Sequence, residues 1–159
     1  MIEKNNKKGA RVAIMMGSVS DRQVMDAAAD ILGQFGIDYE VKISSAHRMP
    51  NKTREFVLNA ENEGFEVIIA GAGKSAHLPG VIASYTTIPV IGVPVKTDDL
   101  GGLDSLLSIV QMPPGVPVAT VAINGSKNAA LLAVQILGLK YPDIKNKFRE
   151  YKKGLEHVV

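Results

Sequence analysis

Val12-Ala13-Ile14-Met15-Met16-Gly17-Ser18-Val19-Ser20-Asp21 passes from five unbroken apolar residues straight into a small, polar turn. A run that short, apolar at every position, reads as a strand covered on both faces, as in a parallel sheet. Immediately afterwards Val24, Ala27, Ala28, Ile31, Leu32 and Phe35 recur at helical spacing, and Gly36 supplies a stop signal. Strand, polar turn, helix is the repeating unit of an α/β fold, and the rest of the chain repeats it. Further strands are expected at residues 39–43, 67–70, 90–93 and 118–123. Helices are expected from Pro50 to near Gly64, then at 78–85, 103–110 and 126–137, with a charged amphipathic helix closing the chain near its end (143–158).

Five such alternations predict an α/β fold: a three-layer α/β/α sandwich around a doubly wound, five-stranded parallel sheet, flavodoxin-like, plus a C-terminal helix. A length of 159 residues suits one domain spanning 1–159, with 1–10 as a flexible tail. The segment 112–117, with three prolines and a glycine, is the one wholly irregular stretch, and its stiffness predicts order.

Composition removes several function classes. The chain has no cysteine, which excludes disulfides, thiolate metal sites and cysteine nucleophiles and fits a reducing compartment. The first residues are polar, and no apolar run approaches the ~18 residues of a membrane span, so a soluble, cytoplasmic protein without membrane partners is expected. Net charge is +2, with lysines gathered at the two ends, and aromatics make up only 5%. Nucleic-acid binding calls instead for a dense basic stripe interleaved with aromatics, so no nucleic-acid partner is expected.

In an open parallel sheet, ligands sit at the carboxyl ends of the strands. Those ends carry Gly17-Ser18-Val19-Ser20-Asp21, Ser44-Ser45-Ala46-His47-Arg48, Gly71-Ala72-Gly73-Lys74-Ser75-Ala76-His77 and Asn124-Gly125-Ser126. Two of the three histidines therefore lie at one edge of the sheet. Gly17 allows close approach, and Ser18, Ser20 and Asp21 open a helix whose free N–H groups suit a phosphate or receive an ordinary cap from Ser20 or Asp21. His47 next to Arg48 pairs a residue type that exchanges protons near neutrality with a permanent cation suited to phosphate or carboxylate. The Walker pattern and the dinucleotide fingerprint are both absent. The histidines lack clustered carboxylates or metal-ligand spacing, so no metal is expected. No Gly-x-Ser-x-Gly elbow supports hydrolysis.

These loops, quoted as MGSVSD (16–21), SAHRMP (45–50), AGAGKSAHLPG (70–80), PVIGVPV (89–95), GLDSLLSIVQMPPGVPVATVAI (102–123) and KNAALLA (127–133), resemble the class I PurE family, the N5-carboxyaminoimidazole ribonucleotide mutases. The stretches span nearly the whole chain in the family's order. The resemblance implies an isomerase of de novo purine (IMP) biosynthesis that works without metal or organic cofactor. It implies His47 as the acid–base residue and Ser18 and Asp21 as ligands of the ribose phosphate, with Arg48 on phosphate or carboxylate. Gly17, Ser20, Ser45, Ala46, Gly73, Lys74, Ser75, Ala76, His77 and Leu78 complete the expected substrate contacts. It also implies a homo-octamer in which the loop near Met112 and the C-terminal helix join subunits.

The chain departs from the family pattern in three places. Met49 stands where threonine is usual, and Lys74 and Ser75 stand where the family has Gly-Ala. Lys74 either adds a phosphate contact or carries its charge out to water. The rivals are the class II carboxylase, which uses free CO2, a ribonucleotide sensor and a flavin carrier. Arg48 and His77-Leu78-Pro79-Gly80 favour class I.

Overall fold

A computed structural model describes residues 9–156. Its strands are β1 (Arg11–Met16), β2 (Asp38–Ile43), β3 (Val67–Gly73), β4 (Val90–Val95) and β5 (Ala119–Thr120); its helices are α1 (Arg22–Phe35), α2 (Pro50–Ala60), α3 (Leu78–Ala83), α4 (Leu103–Val110), α5 (Ser126–Gly138) and α6 (Pro142–Leu155). The sheet is wholly parallel in the order β2-β1-β3-β4-β5, the flavodoxin-like winding expected.

Alternation along each strand builds two cores. Val12, Ile14 and Met16 of β1 face one way and pack with Met25, Ile31, Leu32 and Phe35 of α1 and with Ala129, Ala133 and Leu137 of α5. Ala13 and Met15 face the other way, toward Val57 of α2, Ile82 of α3 and Ile109 of α4. The central strands β1, β3 and β4 are buried on both faces, whereas β2, whose apolar and polar residues alternate, is a half-exposed edge.

Gly92 sets how closely the second layer approaches. A Cβ there would run into Ile109 Cγ2 of α4, and would lie 3.0 Å from Val118 Cγ1 and 3.4 Å from Pro79 Cβ. These neighbours are stiff, so the strand needs a glycine at this point.

Five elements differ from expectation by two residues or more. α2 stops at Ala60, short of Gly64, and β4 runs on to Val95 instead of ending at Val93. β3 continues through Gly71-Ala72-Gly73 because β4 pairs with all three, joined by β1 at Gly71, even though its β-branched residues stop at Ile69. β5 shrinks from six expected residues to Ala119–Thr120. It has one neighbour only, and Pro94 of β4 has no N–H to give to the ladder, although its carbonyl still accepts from Asn124 N at 2.8 Å. α3 ends at Ala83, two residues early. The expected N-terminal tail falls largely outside the described residues, but Ala10 is buried against the α1 core. The last residues of the expected C-terminal helix, and His157, also lie outside them.

Candidate active site

The first strand ends at Gly17, whose N–H donates to Gly71 O at 3.3 Å and so fixes the mouth of the crevice between β1 and β3. This is the switch point of the winding, where chain connections diverge to the two sides. A cleft of about 590 Å³ opens there. The loops after β1, β2 and β3 wall it together with Thr97 from the loop after β4, and all but one of the expected site residues line it. Ala76 is the exception: it is buried in the core beneath α3, its side chain turned inward by the tight turn before that helix.

The loop after β1 begins as a three-residue 3-10 turn, Val19–Asp21, capped by Ser18. Ser18 N donates to Asp21 Oδ2 at 3.0 Å, while Ser18 Oγ accepts from Ser20 N at 3.3 Å and from Ser20 Oγ at 2.9 Å. The cap is Ser18 and not Ser20 or Asp21: Asp21 stands at the N-cap of α1 without a side-chain cap hydrogen bond. The Ser18 hydroxyl proton stays free to meet an anion.

Asp21 is only 7% exposed. Burial pushes its carboxyl above the ordinary aspartate range, opposed by donors at Ser18, Ser20 and Gly17 and by the charge of Arg48. A carboxyl raised on folding adds stability that is complete below its unfolded value and is lost as pH rises through its folded value. At neutral pH the ionised group therefore costs stability. Asp21→Asn is expected to raise Tm at pH 7 by about 2–4 °C, taking the relief as roughly 1 kcal/mol. That gain should fade on acidification, and turnover should fall. Thermal melts across pH check this; a lower Tm at pH 7 would mean that the hydrogen bonds to the carboxylate outweigh its burial.

The loop after β2 is anchored by Ser44, whose N–H donates to Met16 O at 2.9 Å and whose hydroxyl meets Thr53 Oγ1 of α2 at 2.8 Å. Met49 N closes onto Ser45 O at 2.8 Å, with Pro50 starting the helix. This tight turn leaves His47 and Arg48 exposed over the cleft. Arg48 makes only long contacts, to Gly17 O at 3.4 Å and Ser45 Oγ at 3.5 Å, so most of its donors are free for an anion among the described residues.

His77, at the head of α3, crosses from the third loop. Its Nδ1 lies 2.7 Å from His47 Nε2, and the two rings meet edge to face. These residues are thirty apart in sequence. Lys74 stands at φ +55, in the left-handed region, and its ammonium pairs with Asp99 in the loop after β4.

Two lining residues were not foreseen, Ala72 and Thr97. Ala72 was read as loop but belongs to β3. Thr97 follows the carboxyl end of β4, so the strand-end rule would have found it had it been applied to that strand. A Cβ on Gly73 would fall 2.8 Å from Thr97 Cγ2, which keeps this part of the wall narrow. The fourth expected loop, Asn124-Gly125-Ser126, does not line the cleft. It is structural: Asn124 Oδ1 accepts from Lys96 N at 2.8 Å, and Ser126 Oγ donates to Val24 O at 2.5 Å. Among the described residues no three His, Asp or Glu side chains converge as metal ligands, and no helix is long and apolar enough to cross a membrane.

The family model described as AIR carboxylase matches residues 11–157. The chain belongs to the AIR carboxylase family. Its relatives within that family include the N5-carboxyaminoimidazole ribonucleotide mutase of Thermotoga maritima, 64% identical over 149 residues and covering 94% of this chain and 87% of that protein. The mutase of Pyrococcus horikoshii is 62% identical over 148 residues, 93% of this chain and 84% of the relative. Among solved structures, PurE of Treponema denticola superposes with a TM-score of 0.83 at 30% identity, covering 93% of this chain and 92% of that one.

Proposed function

We propose that this chain is an isomerase converting N5-carboxyaminoimidazole ribonucleotide to 4-carboxyaminoimidazole ribonucleotide, a step of de novo purine biosynthesis. Family membership and the near full-length mutase relatives support it. The observation that carries the chemistry is the His47–His77 contact inside a cleft whose other end holds Ser18, Asp21 and Arg48.

The ribose phosphate lies at the β1 end, on the free hydroxyl of Ser18 and the guanidinium of Arg48, with Gly17 and Ser20 beside it. Ser45, Ala46, Gly73, Ser75 and Leu78 enclose the base. His47, as imidazolium, gives its proton to the exocyclic nitrogen while the nitrogen–carboxyl bond breaks and CO2 departs. The nitrogen keeps the bonding electrons. The ring carbon then attacks the adjacent CO2, and the carbon's proton returns to the neutral imidazole, so protons balance over the cycle. His77 determines which nitrogen of His47 is engaged: whichever of the two facing atoms carries the hydrogen, Nε2 is occupied, which leaves Nδ1 to exchange protons with the substrate. Both proton transfers are assigned to side chains of this chain.

The isolated cleft is open, with His47, His77 and Ser75 all exposed, whereas retention of CO2 needs a dry site. A second copy supplies the cover. Leu103, Leu107 and Val110 form an exposed apolar stripe along α4, and Leu100, in the loop bearing Thr97, is exposed just before it. A patch of that kind marks an interface, and a cytoplasmic homo-octamer is the assembly proposed, with the segment near Met112 and α6 in further contacts.

The test follows substrate labelled with 13C in the transferred carboxyl, in unlabelled bicarbonate. Label in the 4-carboxy product establishes the mutase. Unlabelled product formed from aminoimidazole ribonucleotide and solvent CO2 would replace it with the class II carboxylase, and no turnover at all would leave a binding protein. Sedimentation of the same sample at the monomer mass would remove the assembly.

A further inference from the structure

We infer that Lys74 is a positioning residue: paired with Asp99, it clasps the loop after β3 to the neighbouring loop after β4 beside the cleft, fixes the turn that delivers His77 to His47, and holds released CO2 on the enzyme between the two half-reactions. This inference rests on the mutase reading above.

Lys74 has a backbone that lysine adopts only at a cost. It stands at φ +55, the left-handed region in which a side chain's Cβ crowds the following carbonyl oxygen. The other non-glycine residue in that region among those described is Asn124, a type that tolerates it. The conformation has a local consequence. Ala76 N donates to Lys74 O at 2.8 Å and His77 N to Ser75 O at 2.7 Å, so the turn begun at Lys74 delivers His77 to His47.

The ammonium is committed to acidic neighbours. It pairs with Asp99, and Asp98 and Asp104 add to the negative field; Lys74 is held above the ordinary lysine range, chiefly by the Asp99 hydrogen bond, and Asp99 below the ordinary aspartate range by Lys74. A lysine drawn toward three carboxylates is poorly placed to serve a phosphate. The anion-binding groups, Ser18 and Arg48, lie on the other two loops. The pairing favours a role for Lys74 other than the phosphate contact.

The two loops the pair joins already meet lower down, at Gly73 and Thr97. Thr97 lines the cleft, and its Oγ1 is buried with no hydrogen-bond partner among the described residues. The pair adds a second point of attachment at the rim. Its side chains are 67% and 60% exposed, so it contributes little to overall stability and opens readily for substrate entry. Such a pair suits a clasp and is poorly suited to a structural bolt.

The test measures, in the labelled assay, how much 13C escapes to bulk bicarbonate per substrate consumed. Lys74→Gly removes the pair and relieves the backbone cost; Asp99→Asn removes the pair and keeps Lys74. Escape is expected to rise several-fold in both, to a similar level, with the double variant no worse than either. The exchanged pair, Lys74→Asp with Asp99→Lys, is expected to restore part of the retention. Unchanged escape in an active Lys74→Gly enzyme overturns the clasp. So does a raised KM in that variant with retention intact, which would make Lys74 a substrate contact. Absence of turnover in the wild-type protein overturns the mutase reading, and the clasp with it.

Discussion

Replacing His47 with asparagine is expected to lower kcat by about 10²–10⁴-fold, the range ascribed to positioned acid–base groups, while leaving KM and Tm close to those of the unmodified protein. His47 is exposed and outside both cores, so its removal leaves no cavity. Asparagine can still meet His77 Nδ1, so the variant isolates proton transfer from loop geometry. One group serves both half-reactions in this scheme, so the loss should appear alike in the conversion run forward and in reverse. Steady-state rates in both directions, with a melting curve, provide the check. Turnover at the wild-type level would remove His47 from the chemistry and shift attention to His77.

Gly92→Val is expected to cost about 3 kcal/mol, lowering Tm by roughly 6–12 °C. Three added carbons would enter a space already closed by Ile109, Val118 and Pro79. Ile109 and Val118 are β-branched with few rotamers to adopt, and Pro79 is fixed at the head of α3, so the helices must move. Because α4 carries the apolar stripe and α3 begins beside His77, displacement should weaken assembly and activity together. Calorimetry and sedimentation on the variant measure both. An unchanged Tm would show that the second layer yields freely and that the glycine does not set its distance.

Much of this was legible in the chain. The β-branched runs and the 3.6-residue spacing identified every strand and helix in order, because those signals are local and each element must bury a face. The rule placing ligands at strand carboxyl ends selected the loops of Ser18, His47 and His77 before any resemblance was considered, and the motifs then pointed to the family. Strand ends were less legible. Gly71-Ala72-Gly73 has poor intrinsic strand preference, yet pairing with β4 along its length keeps it in β3; residues 121–123 have the better preference, yet stand at an edge beside Pro94 and leave the ladder.

Contacts between loops could be settled only by the tertiary structure. Nothing local to His47 indicates that its Nε2 meets His77, thirty residues on, and nothing local to Lys74 indicates Asp99, twenty-five residues on. Nor does the sequence around Ala76 reveal that a tight turn sends its side chain inward while its neighbours face the cleft. The sequence by itself determined which elements form, their order, and which residue types stand at the sheet's edge, because these follow from short-range periodicity. The tertiary structure decided which of those residues touch, since the winding of the sheet brings distant loops to one switch point.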